Sequence, residues 1–340
     1  MIRQDYYRDL SKMNTFRMKV NARCFVEYDS LADLVELDFE ELPKPVMHIG
    51  GGSNLLFTDD FKGTILHSKI NFIEELGSGL VSVGAGVVFD EFCQWAASKG
   101  LWGVENLSYI PGEVGASVVQ NIGAYGVEVA DVVKTVYCYD TLEEEFVHFD
   151  VSECCFGYRM SYFKQPQVKG RYIVTHVVYQ LSTTSNPHLE YGHLKAALAE
   201  EEQLTPALIR KTIINIRREK LPEVSQVGSA GSFFKNPVVS HDVYQQVCKI
   251  AHKEHGDDYL VPHYDLDDSM VKIPAAWMIE QCGWKGRRSG GAAVYDKQPL
   301  VLVNYTGEAY PEEIIGLMKR IISSVEVKYN IVLKPEVEII

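Results

Sequence analysis

What this chain lacks narrows its function before any motif is read. Basic charge is scarce: 33 Lys and Arg face 46 Asp and Glu, for a formal charge of −13. Duplex binding needs surplus Lys and Arg to neutralise phosphates, so nucleic acid is not an expected partner. A small anionic ligand needs only a few local cations and stays open. The seven cysteines, at 24, 93, 138, 154, 155, 248 and 282, form no Cys-x-x-Cys and no paired spacing with histidine. An odd, scattered set suits a reducing compartment rather than a disulfide framework. His241, His252, His255 and His263 share one region without a closing carboxylate pattern, so no metal site is expected. No apolar run approaches the ~18 residues of a membrane helix. The opening MIRQDYYRDL is charged from its third residue, without the apolar core of a leader. The expectation is a cytoplasmic protein with no membrane partner. Repeats and low-complexity tracts are missing too, and 46% hydrophobic with 23% charged residues fits neither disorder nor a coiled coil.

What is present reads as mixed α and β over 340 residues, enough for two or three domains. Short apolar runs at 46–49, 55–57, 80–83, 132–139 and 172–181 read as strands. Phe89, Phe92, Cys93, Ala96 and Ala97 predict a helix over 89–98, closed by Gly100 in the left-handed region. Pro311, followed by Ile314, Ile315, Met318, Ile321, Ile322 and Val325 on one face, predicts another over 311–329. Residues 24–43 hold seven acids and no base and read as a solvated helical face with its flanks. The end, 332–340, reads as a strand with Lys334, Glu336 and Glu338 on one face. No regular βαβ rhythm links these elements, which predicts an α+β fold. The apolar pattern weakens across 182–187, a candidate boundary, and Arg210, Lys211, Arg217, Arg218 and Lys220 concentrate just beyond it.

Three glycine-rich segments carry the first chemical signal. Gly50, Gly51 and Gly52, then Ser53 and Asn54, sit between two predicted strands. Glycines there let backbone N–H groups approach a phosphate with no Cβ in the way. No Gly-Lys-Ser/Thr follows, so this is no P-loop; a tight turn and a phosphate cradle both remain open. Gly84-Ala85-Gly86 is a partial Gly-x-Gly. Residues 110–126 hold Gly112, Gly115 and Ala116, small residues opening a short helix whose N–H groups can face an anion. At its exit the side-chain amides of Gln120 and Asn121, before Gly123, can meet a planar heterocycle. Three such segments within eighty residues point to one extended ligand carrying a pyrophosphate; three independent tight turns are the alternative.

The segments NTF (14–16), GGGSNLL (50–56), ENLSYIPGEVGASVVQNIGAYG (105–126), YRMSYFK (158–164), KLP (220–222), AGSFFKNP (230–237) and LKPEVEII (333–340) together resemble the UDP-N-acetylenolpyruvoylglucosamine reductase family. They span essentially the whole chain and are specific in combination. The resemblance implies an FAD-binding fold of the vanillyl-alcohol-oxidase/PCMH type in two lobes plus a separate α+β substrate-binding domain. The implied order is an FAD-binding domain at 14–185, a connecting segment with a substrate tyrosine loop at 186–220, a substrate-binding domain at 221–328 and a returning strand at 329–340. It further implies non-covalent FAD, NADPH as co-substrate, UDP-N-acetylglucosamine enolpyruvate as the compound reduced, and a monomer.

Reducing an alkene conjugated to a carboxylate needs a hydride source, a clamp for the enolate and an acid on the correct face. Within the matched motifs, Arg159 would clamp the carboxylate, because guanidinium binds it through two parallel bonds and stays charged. No Gly-x-Ser-x-Gly elbow surrounds Ser232, so a hydrolytic nucleophile is not expected; the resemblance implies that it donates the proton. Glu336 would be the third catalytic residue. Arg217, Lys220, Lys235 and Asn236 flank the serine and suit a nucleotide diphosphate. Tyr191, in Glu190-Tyr191-Gly192-His193-Leu194, matches the tyrosine loop of one subclass, and Gln281 would border the same site. One departure stands out: where the family is expected to carry Thr-Val-Gly-Ala-Ala-Pro, this chain has Glu113-Val114-Gly115-Ala116-Ser117-Val118. A carboxylate beside a pyrophosphate is unfavourable, so Glu113 is expected to point outward or its loop to shift. Two other readings remain: an oxidase on the same flavin fold, and a flavin-free protein whose glycines hold a nucleotide sugar.

Overall fold

Burial in the stretch Asn21–Tyr28, with Ala22, Cys24, Val26 and Tyr28 inside, builds a strand rather than the start of a helical face. Glu27 and its acidic neighbours obscured that alternation. The helix that does form, α1 (Leu31–Glu36), is short and capped by Ser30. The computed structural model describes residues 1–191 and 194–340. They form two units: Met1–Asp9, Asn21–Gly52 and Asp60–Arg218 in the first, Leu10–Val20, Ser53–Asp59 and Glu219–Ile340 in the second.

The first unit has two larger sheets. One orders Arg3–Asp9, Asn21–Tyr28, Phe61–Ser68 and Val46–Ile49, antiparallel at the first pair and parallel after it. The other orders Glu145–Asp150, Val133–Asp140, Tyr172–Gln180, Leu80–Gly84 and Ile73–Gly77, antiparallel throughout. Against this second sheet pack α2 (Phe89–Ser98) and α3 (Val114–Gln120), with Phe89, Phe92, Ala96, Val114 and Val118 joining Val81, Val83, Val136 and Val177 in one core. Gly100, at φ +70°, follows α2 in the left-handed region. Residues 186–218 also belong here: α4 (Leu194–Ala197) and α5 (Pro206–Lys220) bury Leu194, Ile209 and Ile213 against Trp102.

Gly63 marks the tightest approach in the first sheet. A Cβ there would lie 1.9 Å from the Pro45 carbonyl oxygen, which accepts the Thr64 N–H at 2.9 Å. Gly63→Ala must therefore push the strands apart. We expect about 1–3 kcal/mol of lost stability, read as a lower thermal midpoint; an unchanged midpoint would show that the strands separate freely.

In the second unit, Gly228–Ser232, Val301–Asn304, Ala292–Val294 and Arg288–Ser289 form an antiparallel sheet. A smaller one orders Val238–Ser240, Met270–Lys272 and Tyr264–Asp265. Three helices accompany them, α6 (His241–His255), α7 (Ala275–Gln281) and α8 (Pro311–Tyr329). Helix α8 packs on the four-stranded sheet with Ile314, Leu317, Met318, Ile321 and Val325 buried. The N-terminal loop is fastened inside this unit. Asn14 bonds to Leu10 O, Met18 O and Met18 N, and Thr15 O accepts from Ser229 N at 2.9 Å. Among the described residues no helix is long and apolar enough to cross a membrane.

Candidate functional site

The three glycine segments meet inside the first unit. A Cβ on Gly50 would sit 3.0 Å from the Ala116 Cβ, and one on Gly51 would sit 3.6 Å from the Gly112 Cα. A Cβ on Gly115 would likewise sit 3.0 Å from the Ala85 Cβ, and the Gly115 N–H donates to Ala85 O at 2.9 Å. Gly84 and Gly86 are demanded by the fold itself: side chains there would strike Ile70 O and Ser68 O at 2.4 and 2.5 Å. At Gly50 and Gly51 the lack of a Cβ lets the backbone approach residues 112–116 closely. Gly52 continues that turn at φ +60°.

Two expectations for this region fail on hydrogen bonding. The short α3 does not offer all its first N–H groups to an anion, because Val114 N donates to Val87 O and Gly115 N to Ala85 O, both at 2.9 Å. The Asn121 amide does not face a heterocycle. It is fully buried, donating to Glu128 Oε2 (2.7 Å) and Gly157 O (2.8 Å) and accepting from Ala130 N (3.2 Å). Asn121 is a clamp at the left-handed exit of α3, φ +46°. The Gln120 side-chain Oε1 is likewise engaged, accepting from Lys164 Nζ. Ser117 turns inward and donates to Val114 O at 2.7 Å.

Glu113 neither points outward nor lies apart from the glycines. Its Oε2 is 3.3 Å from where a Gly50 Cβ would be, while His67 Nε2 meets its Oε1 at 2.9 Å. The other ring nitrogen of His67 meets Glu27 Oε1 at 3.1 Å. Nothing in the spacing of positions 27, 67 and 113 announced this trio. Its signal is pairing: Glu27 and His67 are register partners on adjacent parallel strands.

Arg159 lies on the α3 exit, its Nη2 donating to Gly123 O at 2.7 Å and its Nη1 to Asn121 O at 3.3 Å, with the guanidinium over the Tyr158 ring. Tyr191 is half-buried against Gly126, its ring edge-on to Tyr125 at 6.4 Å between centroids. The next two residues of that motif, Gly192 and His193, lie outside the described residues. Asn106, which sequence reasoning passed over, ties the loop together by donating to Tyr125 O and His188 O at 2.9 and 2.8 Å. Arg210 forms a two-pronged pair with Asp90. Burial would raise that carboxyl, but the Arg210 bonds and the Tyr109 N–H hold it below its ordinary value. Arg217 donates to Tyr109 O at 3.2 Å. Burial pushes its guanidinium below its ordinary value, opposed by Tyr125, Asp90 and Tyr109.

In the second unit, the segment after Ser232 pairs with the segment that carries Glu336. Glu336 N donates to Phe233 O at 2.8 Å, Lys235 N to Lys334 O at 2.9 Å, and Phe234 bridges Pro335. Phe233 and Phe234 are buried and anchor this pairing, leaving Ser232 exposed. Asn54 Nδ2 donates to Glu336 O at 3.1 Å, so this amide holds the catalytic candidate's backbone. Asn236 Oδ1 accepts the Ala275 N–H at the start of α7 (2.9 Å). Lys220, the last residue of α5, is exposed. The Gln281 Oε1 meets His255 at 2.8 Å, and its carbonyl accepts from Lys328 at 2.9 Å. The expected closing strand is limited to Glu338–Ile339, since Pro335 has no N–H to give a ladder. Among the described residues no three of His, Cys, Asp and Glu gather as metal ligands.

Residues 24–148 match the profile of an FAD binding domain, and residues 222–340 that of the UDP-N-acetylenolpyruvoylglucosamine reductase C-terminal domain. A UDP-N-acetylenolpyruvoylglucosamine reductase from Bacteroides fragilis is 46% identical, covering 96% of this chain and 97% of that protein. The Porphyromonas gingivalis protein of the same name is 43% identical over 100% and 99%. Among solved structures, UDP-N-acetylenolpyruvylglucosamine reductase from Thermus caldophilus shares the fold, with TM-score 0.68 and 23% identity over 100% of this chain and 98% of that one.

Proposed function

Since the chain belongs to the UDP-N-acetylenolpyruvoylglucosamine reductases, we propose that Arg159, Ser232 and Glu336 carry the chemistry of that family here. The reaction is the NADPH-dependent reduction of UDP-N-acetylglucosamine enolpyruvate to UDP-N-acetylmuramate, in peptidoglycan precursor synthesis. FAD, when bound, supplies the hydride. The close approach of Gly50 and Gly51 to residues 112–116 supports reading this turn as the seat of its diphosphate, with Gly52, Ser53, Gly112 and Ala116 completing the cradle. The finer reading of the chain is an FAD-binding domain at 14–185, a connecting segment with the tyrosine loop at 186–220, a substrate-binding domain at 221–328 and a returning strand at 329–340, in a cytoplasmic monomer acting without membrane or nucleic acid.

Each residue has a task set by where charge develops. As hydride reaches the terminal alkene carbon, the electron pair moves onto the carboxylate as an enolate. Arg159, its fork already aligned by the Gly123 and Asn121 carbonyls, offsets that charge. The enolate carbon bearing the ether oxygen then takes a proton from the Ser232 hydroxyl. Glu336, beside it, orients that hydroxyl and the enol form. Arg217, Lys220, Lys235 and Asn236 serve the uridine diphosphate, and Gln281 the rim. The observation that supports this reading is the pairing of the segment bearing the exposed Ser232 with the segment bearing Glu336.

Turnover of the enolpyruvyl substrate by the yellow holoprotein with NADPH tests it. A protein that stays colourless with added FAD, or bleaches with NADPH but ignores the substrate, overturns it. Tyr191, packed on Gly126 and Tyr125, is read as the closing tyrosine of the loop subclass. For Tyr191→Ala we expect KM for the nucleotide substrate to rise roughly 5- to 150-fold, equivalent to ~1–3 kcal/mol of stacking, with FAD retained. An unchanged KM removes the tyrosine from substrate binding.

A further inference from the structure

The Glu113 carboxylate, set against the glycine cradle, raises a question of charge. Both ring nitrogens of His67 meet carboxylate oxygens, Glu113 Oε1 at 2.9 Å and Glu27 Oε1 at 3.1 Å. Carboxylates only accept, and a neutral imidazole has one N–H to give. Satisfying both at once requires the doubly protonated ring. The trio is enclosed, with the His67 side chain 4% exposed and that of Glu113 12%, so solvent screens it little.

We propose that Glu27, His67 and Glu113 form a proton-gated counter-charge beside Gly50 and Gly51 that sets how tightly this chain holds FAD as pH changes. With His67 protonated, Glu113 is neutralised and the cradle accepts a diphosphate. When the proton leaves, the Glu113 charge is unmasked next to the phosphates and repels them. This rests on the reading that Gly50–Gly52 hold the FAD diphosphate.

The groups around the ring agree with the assignment. Burial alone would lower the His67 pKa, but the Glu113 bond and charge, then the Glu27 bond, outweigh it and hold the imidazole above its ordinary value, against Lys69. On the neighbouring strand His48 bonds to the Tyr28 hydroxyl at 2.7 Å. Burial, then the His67 charge, pushes His48 down to about 3, so it stays neutral and does not compete for the proton. Because the folded pKa of His67 is raised, the stability it contributes is complete below the ordinary 6.5. That stability is lost as pH rises through the folded value.

Holoprotein is diluted at pH 6 to 9 and FAD release is followed by the rise in flavin fluorescence, for wild type, Glu113→Gln and Gly51→Ala. Thermal midpoints are taken across the same range. We expect the wild-type Kd for FAD to rise roughly tenfold from pH 6 to 9, the scale of one charge unmasked near a phosphate. Glu113→Gln should flatten that profile and hold FAD more tightly than wild type at pH 9. A wild-type Kd that does not change with pH, or a Glu113→Gln profile as steep as wild type, overturns the gate. Gly51 has an unstrained φ and room for a Cβ, so Gly51→Ala should fold and weaken FAD at every pH. If instead it binds FAD like wild type, the cradle reading beneath fails, whatever the pH profiles show.

Discussion

Ser232→Ala is expected to slow oxidation of the reduced flavin by the enolpyruvyl substrate about 10²–10⁴-fold, the range of a lost general acid, while NADPH reduces the flavin at nearly the wild-type rate. The split follows from position. Ser232 is exposed at the end of its strand, and its buried neighbours Phe233 and Phe234 carry the packing, so removing one oxygen leaves the fold intact. Surface changes of this kind usually cost within about 0.5 kcal/mol, and the thermal midpoint is the control. Stopped-flow measurement of the two half-reactions separately is decisive. Equal losses in both would mean that the serine supports the flavin site rather than delivering a proton.

The Ser232–Glu336 pairing also shows which parts of this molecule a reader of the sequence can reach. Helices α2 and α8 begin and end where apolar spacing, Gly100 and Pro311 put them, because those signals act within a few residues. Division into units is different. Leu10–Val20 and Ser53–Asp59 join the C-terminal unit through bonds such as Phe16 O to Asn304 and Asn54 to Glu336, separated by 288 and 282 residues. No local pattern encodes partners that far apart. The NTF motif was visible as a match, yet Asn14 spends its side chain on its own loop. Its role is to hold shape.

Glu113 shows the same limit at the site. Elementary electrostatics identifies a carboxylate next to glycines read as a phosphate cradle as a problem, and that problem was legible. Its resolution was not, because His67 lies 46 residues from Glu113 in a different element, the strand Phe61–Ser68, and no local pattern links that strand to the start of α3. Asn121 fails in the opposite direction. Its amide looked available for a ligand, and the fold takes both of its N–H donors and one bond at its oxygen.

Arg159→Lys is expected to slow the same substrate half-reaction about 10²–10³-fold, the cost of removing one donor from a developing oxyanion, again with flavin reduction by NADPH preserved. Arg159 has two tasks that must be told apart. Its fork bonds to Gly123 O and Asn121 O, bracing the turn after α3, and under our reading its charge stabilises the enolate. Lysine keeps the charge but is a point donor without the planar fork, so it cannot brace both carbonyls and present parallel bonds to a carboxylate. Methionine removes the charge altogether while keeping an unbranched stem. Both variants should lose a similar, small amount of stability, about 1 kcal/mol for the broken bonds. Their rates should diverge, with methionine slower than lysine by a further tenfold or more. If the two variants are equally slow, the charge contributes nothing at the reacting carbon, and Arg159 is only a brace for Asn121 and Gly123.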